Sequence, residues 1–217
     1  MMAEKKSSKR ARRPLTEIRQ DNIDQILKAA ERQFAETGFP GTTVAAIADA
    51  AGLPKPNVLY YFKSKEGLYR AVLKRILELW MEAMHDLSPD QHPREALRDY
   101  IVRKIRQSRD YPDASKIFAA EILHGAPYVR EELEGPLKVQ FDDTVEVIRA
   151  WIAKGWMDPV SPEHLLFTLW AATQSYADFG LQMRVLLERD ELRDDDFDNG
   201  IELLTRLVLK GCGVKIV

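Results

Sequence analysis

The sequence predicts an all-α fold, on three observations. Almost every segment after residue 18 repeats its apolar residues every three to four positions, the period of a helix with one buried stripe. No segment alternates apolar and polar residues as a half-buried strand would. Pro93, Pro112, Pro127, Pro136 and Pro162 fall near expected helix starts, where a missing N–H costs nothing, and not inside the periodic runs.

Residues 1–18 are polar, basic and aperiodic, and are expected to form a disordered arm. Ile23, Ile26, Leu27, Ala30 and Phe34 mark a first helix, which Gly38 closes. Thr43 can cap a short second helix whose buried face is Val44, Ile47, Ala48 and Ala51. A third lies in "GLPKPNVLYYFKSK", with Leu53, Val58, Leu59 and Phe62 as its apolar places. Ser64 starts a long fourth helix with Leu68, Val72, Leu73, Ile76, Leu77, Trp80 and Met84 inward. Its "SKEG" falls short of a capping box, because Gly67 stands where a Glu would. Further helices are expected over 92–109, 113–124, 136–154, 162–180 and 195–210, about nine in all. Asp194, Asp195 and Asp196 sit at the positive end of the last helix's dipole.

The 217 residues suit one large domain or two modest ones, and 45% hydrophobic against 30% charged is a soluble composition. No apolar run approaches the ~20 residues that span a bilayer. The basic stretch Lys5 to Arg13 runs into Pro14 without an apolar segment, so it is no secretory signal. A single cysteine, Cys212, excludes an intrachain disulfide and fits a reducing cytoplasm. The net charge of −2 conceals a division: residues 1–66 hold 12 Lys+Arg against 8 Asp+Glu, and the remainder 20 against 26. A polyanion partner at the N-terminal end would explain it, as would a solubilising tail on an ordinary enzyme.

The second and third helices have the makings of a helix-turn-helix, in which the second helix of the pair enters the major groove. Such a turn needs a small residue where the helices approach and a glycine where the backbone goes left-handed. Ala48 and Gly52 supply these, four residues apart, with Ile47, Ala51, Leu53, Val58 and Tyr61 in the apolar places around them. The stretch "GTTVAAIADAAGLPKPNVLYYFKSKEGLYRAVL" resembles the N-terminal DNA-binding domain of the TetR family of bacterial repressors. In "LYYFKSKEGL", Phe62, Lys65 and Leu68 match that family's Phe-x-x-Lys-x-x-Leu spacing just after a tyrosine pair, with Pro54 standing where the family usually has a capping serine. Pro54 and Pro56 forfeit little there, since first-turn N–H groups have no intrahelical partner. Lys55 is then held outward with Asn57 beside it, chemistry that suits guanine and adenine edges respectively. Thr43, at a helix N-terminus, and Tyr61 and Lys65 suit phosphates. Either Tyr60 or Tyr61 is expected on the groove side, and Tyr61 reads equally as core with its hydroxyl on phosphate.

The resemblance implies a DNA-binding unit over 19–66 and a ligand-binding, dimerising unit over 67–217. "ILELWMEAM", "SRDYPDASKIFAAEILHGAP" and "PVSPEHLLFTLWAATQSYADF" are similar to the uracil- and thymine-responsive repressors of pyrimidine utilisation within that family. The residues are compatible with such an effector. Trp170, Thr173, Gln174, Ala177 and Asp178 share one helix face. A glutamine amide complements the carbonyl and adjacent N–H on the edge of a pyrimidine-dione. Trp80, Phe118 and Trp170 can stack on the ring or wall the pocket, or can simply be core. Asp178 can accept a ligand N–H or pair with an arginine. His85, His92, His124 and His164 lack metal-ligand spacing, and no catalytic motif or cofactor loop is present, so no metal, cofactor or catalytic residue is expected. Leu165, Leu166 and Leu169, with Ile201, Leu204 and Val208, are candidates for a homodimer interface. The expected protein is a cytoplasmic homodimeric repressor that binds double-stranded operator DNA and answers a small molecule. The alternatives are a repressor with another effector, or a helical enzyme or scaffold with an incidental helix-turn-helix.

Overall fold

In the computed structural model, which describes residues 14–215, helix α1 (Leu15–Gly41) breaks at Gly38, whose φ of 69° and ψ of 172° are non-helical. Ile26, Ala30 and Phe34 form its buried face, as their spacing predicts. The arm expected over 1–18 lies outside the described residues up to Arg13, and α1 already begins at Leu15.

Helix α2 (Val44–Ala50) is capped by Thr43, whose hydroxyl oxygen accepts the Ala46 N–H at 3.1 Å. Gly52 takes the left-handed place in the turn, with φ 65°. Helix α3 (Lys55–Phe62) follows Pro54, with Pro56 in its first turn and no side-chain cap. Its end is tight. Lys63 has φ 67° and ψ −47°, and the Ser64 N–H reaches back to the Phe62 carbonyl at 2.8 Å. That is a positive-φ γ-turn, a rare and strained way to join two helices. Helix α4 (Lys65–His85) starts at once, with the Ser64 hydroxyl accepting the Gly67 N–H at 3.0 Å. A Cβ on Gly67 would lie 2.2 Å from the Phe62 carbonyl oxygen, which is why no larger residue completes a capping box there.

The remaining helices are α5 (Pro93–Asp110), α6 (Pro112–Leu123), α7 (Arg130–Glu132), α8 (Lys138–Ala153), α9 (Pro162–Asp178), α10 (Gly180–Leu186) and α11 (Asp194–Gly211). Two departures from the periodicity are visible. A π-helical turn over Leu133–Leu137 carries the chain from α7 into α8 through Pro136, which lacks the N–H that a regular turn would use. The segment after Asp178 restarts as the separate α10.

Two hydrophobic clusters hold the chain. The first joins Ile26, Phe34, Ile47, Val58, Leu68 and Val72 to Trp80, Ile117 and Val129, so α6 and the loop after it pack into the core of α1–α4. The second gathers α5, α8, α9 and α11 around Tyr100, Ile101, Ile148, Trp151, Leu169 and Phe197. Leu166, Leu169 and Val208, expected at a dimer interface, are buried in this second cluster, and Leu165, Ile201 and Leu204 pack against it. Periodicity finds the apolar stripe of a helix but cannot say which neighbour covers it. The leucines left uncovered on α11 are Leu203 and Leu207.

Gly67→Ala separates helix propensity from junction packing. Alanine should gain about 1 kcal/mol from propensity alone. The overlap with the Phe62 carbonyl reverses that sign, and a net loss of about 1–3 kcal/mol is expected in urea unfolding. A variant as stable as the parent would show that the α3–α4 junction has slack.

Candidate functional site

The outward face of the α2–α3 pair carries most of the residues singled out for DNA. Lys55 and Thr43 are exposed, Asn57 is half-buried at the start of α3, and Tyr60 is 67% exposed. Tyr61 lies against the first core cluster with its hydroxyl 3.5 Å from the Asn22 amide nitrogen, so Tyr60 is the outward ring of the pair. Lys65, expected on phosphate, also bonds within the protein. Its ammonium donates to the carbonyls of Phe39 at 2.8 Å and Thr42 at 3.1 Å, and sits 4.4 Å from the centre of the Phe39 ring. Phe39 lies in the last turn of α1 and Thr42 is its extended C-cap, where carbonyls lack helical donors, and the lysine supplies them. It staples the end of α1 to the start of α4.

Some way along α4 the chain borders a cavity of about 670 Å³, within the rough 300–1,000 Å³ range of small-molecule sites. Trp80 of α4, Ser115 and Phe118 of α6, Leu133 and Leu137 around the π turn, and Trp170, Gln174 and Asp178 of α9 line it. A small recess of about 50 Å³ continues inward past Trp80, Phe118, Trp170 and Gln174 to Lys104. Five of the six residues expected at the effector site therefore meet here. The sixth, Thr173, does not: it is wholly buried, its hydroxyl donates to the Leu169 carbonyl at 2.8 Å, and its own carbonyl accepts from Ser108 of α5. A larger open groove of about 830 Å³ between α5 and α11 is lined by none of the residues singled out for DNA or ligand.

The walls are fixed from behind. The Trp170 indole N–H donates to the Tyr100 hydroxyl at 2.8 Å, and Trp80 meets Phe118 edge-on with ring centres 4.6 Å apart. Asp178 accepts the Ser115 hydroxyl at 2.6 Å. The Gln174 amide, by contrast, makes no hydrogen bond among the described residues. Lys104 was missed in the sequence. It is 4% exposed, and its ammonium lies 5.1 Å from the centre of the Trp80 ring with no ion-pair partner among the described residues. Burial pushes its pKa down to about 8, against the opposing pull of the Asp178 charge. A signal existed: Tyr100, Ile101, Lys104, Ile105 and Ser108 fall on one helical stripe, and that stripe is buried.

Residues 26–72 match the family described as bacterial regulatory proteins, tetR family, and residues 73–215 match that described as YcdC-like protein, C-terminal region. The chain belongs to the TetR family. It is 43% identical over 187 residues to the HTH-type transcriptional regulator RutR of Escherichia coli, covering 86% of this chain and 88% of that one. It is 33% identical over 133 residues to the HTH-type transcriptional repressor NicS of Pseudomonas putida, covering 61% and 62%. In fold it is similar to the ketosteroid transcriptional regulator KstR2 of Mycobacterium tuberculosis, at TM-score 0.69 and 22% identity over 89% of this chain and 95% of that one. A TetR-like regulator from Rhodococcus gives 0.66 and 23%, over 94% and 100%.

Among the described residues, two elements run between the cavity and the α2–α3 pair. One is α4 itself, which reaches from the γ-turn to Trp80. The other is α6, which carries Ser115 and Phe118 to the cavity and also packs on α1. At its far end Glu121, buried, accepts the Tyr128 N–H at 2.6 Å and the Tyr69 hydroxyl. Burial, then Glu121, pushes the Tyr69 pKa up, so Tyr69 stays a donor. Tyr128 packs on Phe39 at 4.8 Å, and Arg70 donates to its carbonyl at 2.8 Å.

Lys104 gives this site a stability signature. Its native pKa, about 8, lies below the ordinary 10.5, so its burial destabilises the fold. The cost is full below pH 8 and is relieved as pH rises from 8 towards 10.5. At ~1.4 kcal/mol per pH unit this amounts to about 3 kcal/mol, less about 1 for the contact with Trp80. Lys104→Met should therefore stabilise the chain by about 2 kcal/mol at pH 7, with a smaller gain at pH 10. Denaturant unfolding at both pH values checks it, and a methionine variant weaker than the parent at pH 7 would remove the buried charge.

Proposed function

We propose that this TetR-family regulator is a cytoplasmic repressor that binds a palindromic operator as a homodimer and is released by a small pyrimidine such as uracil or thymine. No catalytic step is assigned to it. The observation that carries the effector reading is Gln174. An amide with no hydrogen-bond partner among the described residues, set among Trp80, Phe118 and Trp170, can offer a ligand a donor beside an acceptor. A carbonyl next to a ring N–H is its complement, and the three stretches resembling pyrimidine-responsive repressors border or contain the cavity residues. Leu203 and Leu207, one turn apart on α11 and 49% and 58% exposed, support a second copy, together with exposed Leu181, Val185 and Leu186 of α10. A twofold axis through that face suits a palindromic site.

Release follows from linkage: if uracil favours a spacing of recognition helices that misfits the operator, each ligand weakens the other by the same factor, typically ~5–150-fold. Fluorescence anisotropy on a duplex selected from a random pool tests the reading. Two chains should bind per site, with affinity falling as salt rises. Lys55→Ala and Asn57→Ala should each lose about 1–3 kcal/mol of discrimination against random DNA, and Thr43→Ala should weaken all DNA alike. Uracil should release the wild-type protein but not Gln174→Leu. One chain per operator would defeat the homodimer, and wild-type protein indifferent to every pyrimidine would remove the effector class.

A further inference from the structure

Three polar groups follow one another outward along the cavity. Lys104 borders only the inner recess, Gln174 borders both recess and main chamber, and Asp178 borders only the main chamber. Gln174 and Asp178 are one turn apart on α9, and α5, which carries Lys104, packs along α9. In chemical terms the row reads donor, acceptor with donor, acceptor. The aromatic rings of Trp80, Phe118 and Trp170 supply flat apolar walls beside it.

We infer that Lys104 is a ligand-binding residue that donates to a ring carbonyl, completing with Gln174 and Asp178 a row that selects pyrimidine-2,4-diones with an unsubstituted N1. The inference rests on the pyrimidine reading above. The edge of such a ring runs carbonyl, N–H, carbonyl, N–H. Lys104 takes the 4-carbonyl, the Gln174 amide takes the N3–H and the 2-carbonyl, and the free lone pairs of Asp178 take the N1–H. Ser115 holds that carboxylate from the side, at 2.6 Å. The cation and the carboxylate balance, so the row suits a neutral ligand better than an anionic one. It also explains why a lysine is kept buried without a protein anion: its partner is the ligand.

Cytosine reverses the pattern at two places. Its 4-amino group would set a donor against the ammonium, and its N3 would set an acceptor against the amide oxygen. A substituent on N1 removes the hydrogen that Asp178 accepts. A site built around such bonds strongly rejects analogues that leave its polar groups unpaired.

Calorimetry with the full-length chain and four probes (uracil, thymine, cytosine and 1-methyluracil) tests this. Wild-type protein should bind the first two and bind cytosine and 1-methyluracil at least about 100-fold more weakly. Lys104→Met, its folding checked by circular dichroism, should bind uracil about 10- to 150-fold more weakly, the worth of one charged hydrogen bond. Should that variant fail to fold, the wild-type ranking of the four probes decides alone. Uracil bound equally by wild type and Lys104→Met would overturn the role of Lys104. Cytosine or 1-methyluracil bound as tightly as uracil would overturn the row, and both results leave the effector reading standing. Binding of none of the four would remove that reading and this inference with it.

Discussion

The structure hangs on the absence of slack between α3 and α4. Phe62 ends one helix, Ser64 caps the next, and only Lys63 lies between them, in a conformation that backbone sterics disfavour. The Ser64 N–H is spent on Phe62, the Ser64 hydroxyl on Gly67, and Gly67 itself has no room for a side chain. A junction so fully bonded has no soft dihedral left to absorb a tilt. Whatever moves α4 moves the recognition helix. Lys65 extends the constraint sideways, because its bonds to the Phe39 and Thr42 carbonyls tie the same junction to the end of α1. The DNA-binding unit thus behaves as one body whose handle is α4.

That handle is not the only grip. Tyr128, just past α6, packs on Phe39 and Tyr69 and is bonded by Arg70 and Glu121. Since α6 also lines the cavity, a ligand between α4, α6 and α9 touches both the handle and the brace against which it would turn. The first hydrophobic cluster says the same in packing terms. It runs from Ile26 of α1 through Leu68 and Trp80 of α4 to Ile117 of α6, across the place where the sequence suggests a domain boundary. A close-packed interior transmits a displacement instead of absorbing it.

Much of this was legible from residues alone, and the limits are physical. Thr43, Gly38, Gly52 and the proline pair of α3 announce their roles because caps and positive φ angles tolerate few residue types. That Trp80, Phe118, Trp170, Gln174 and Asp178 would line one cavity was legible because aromatic rings beside an amide at helical spacing are an unusual stripe. The bonds of Lys65 to the Phe39 and Thr42 carbonyls were not, since a lysine at a helix start carries no mark of them in the sequence. Thr173 shares the face of Gln174, but a hydroxyl can satisfy itself on its own helix and an amide of that length cannot. Leu166, Leu169 and Val208 carry no mark distinguishing a subunit interface from a core. Lys104 sits among so many charges in "VRKIRQSRD" that only its place on the stripe of Ile101 and Ile105 betrays it.

Lys104 also ties the inner recess of the cavity to α4. Its ammonium rests against the ring of Trp80, and Trp80 belongs to α4. That ring and the Asp178 charge oppose the cost of holding the ammonium out of water. A ligand carbonyl that bonded the ammonium, as inferred above, would change how strongly it leans on the ring. Differential interaction with two positions of α4 is what an effector must have in order to shift them. The buried cation costs stability, and a ligand group that relieved that cost would be coupled through Trp80 to the position of α4.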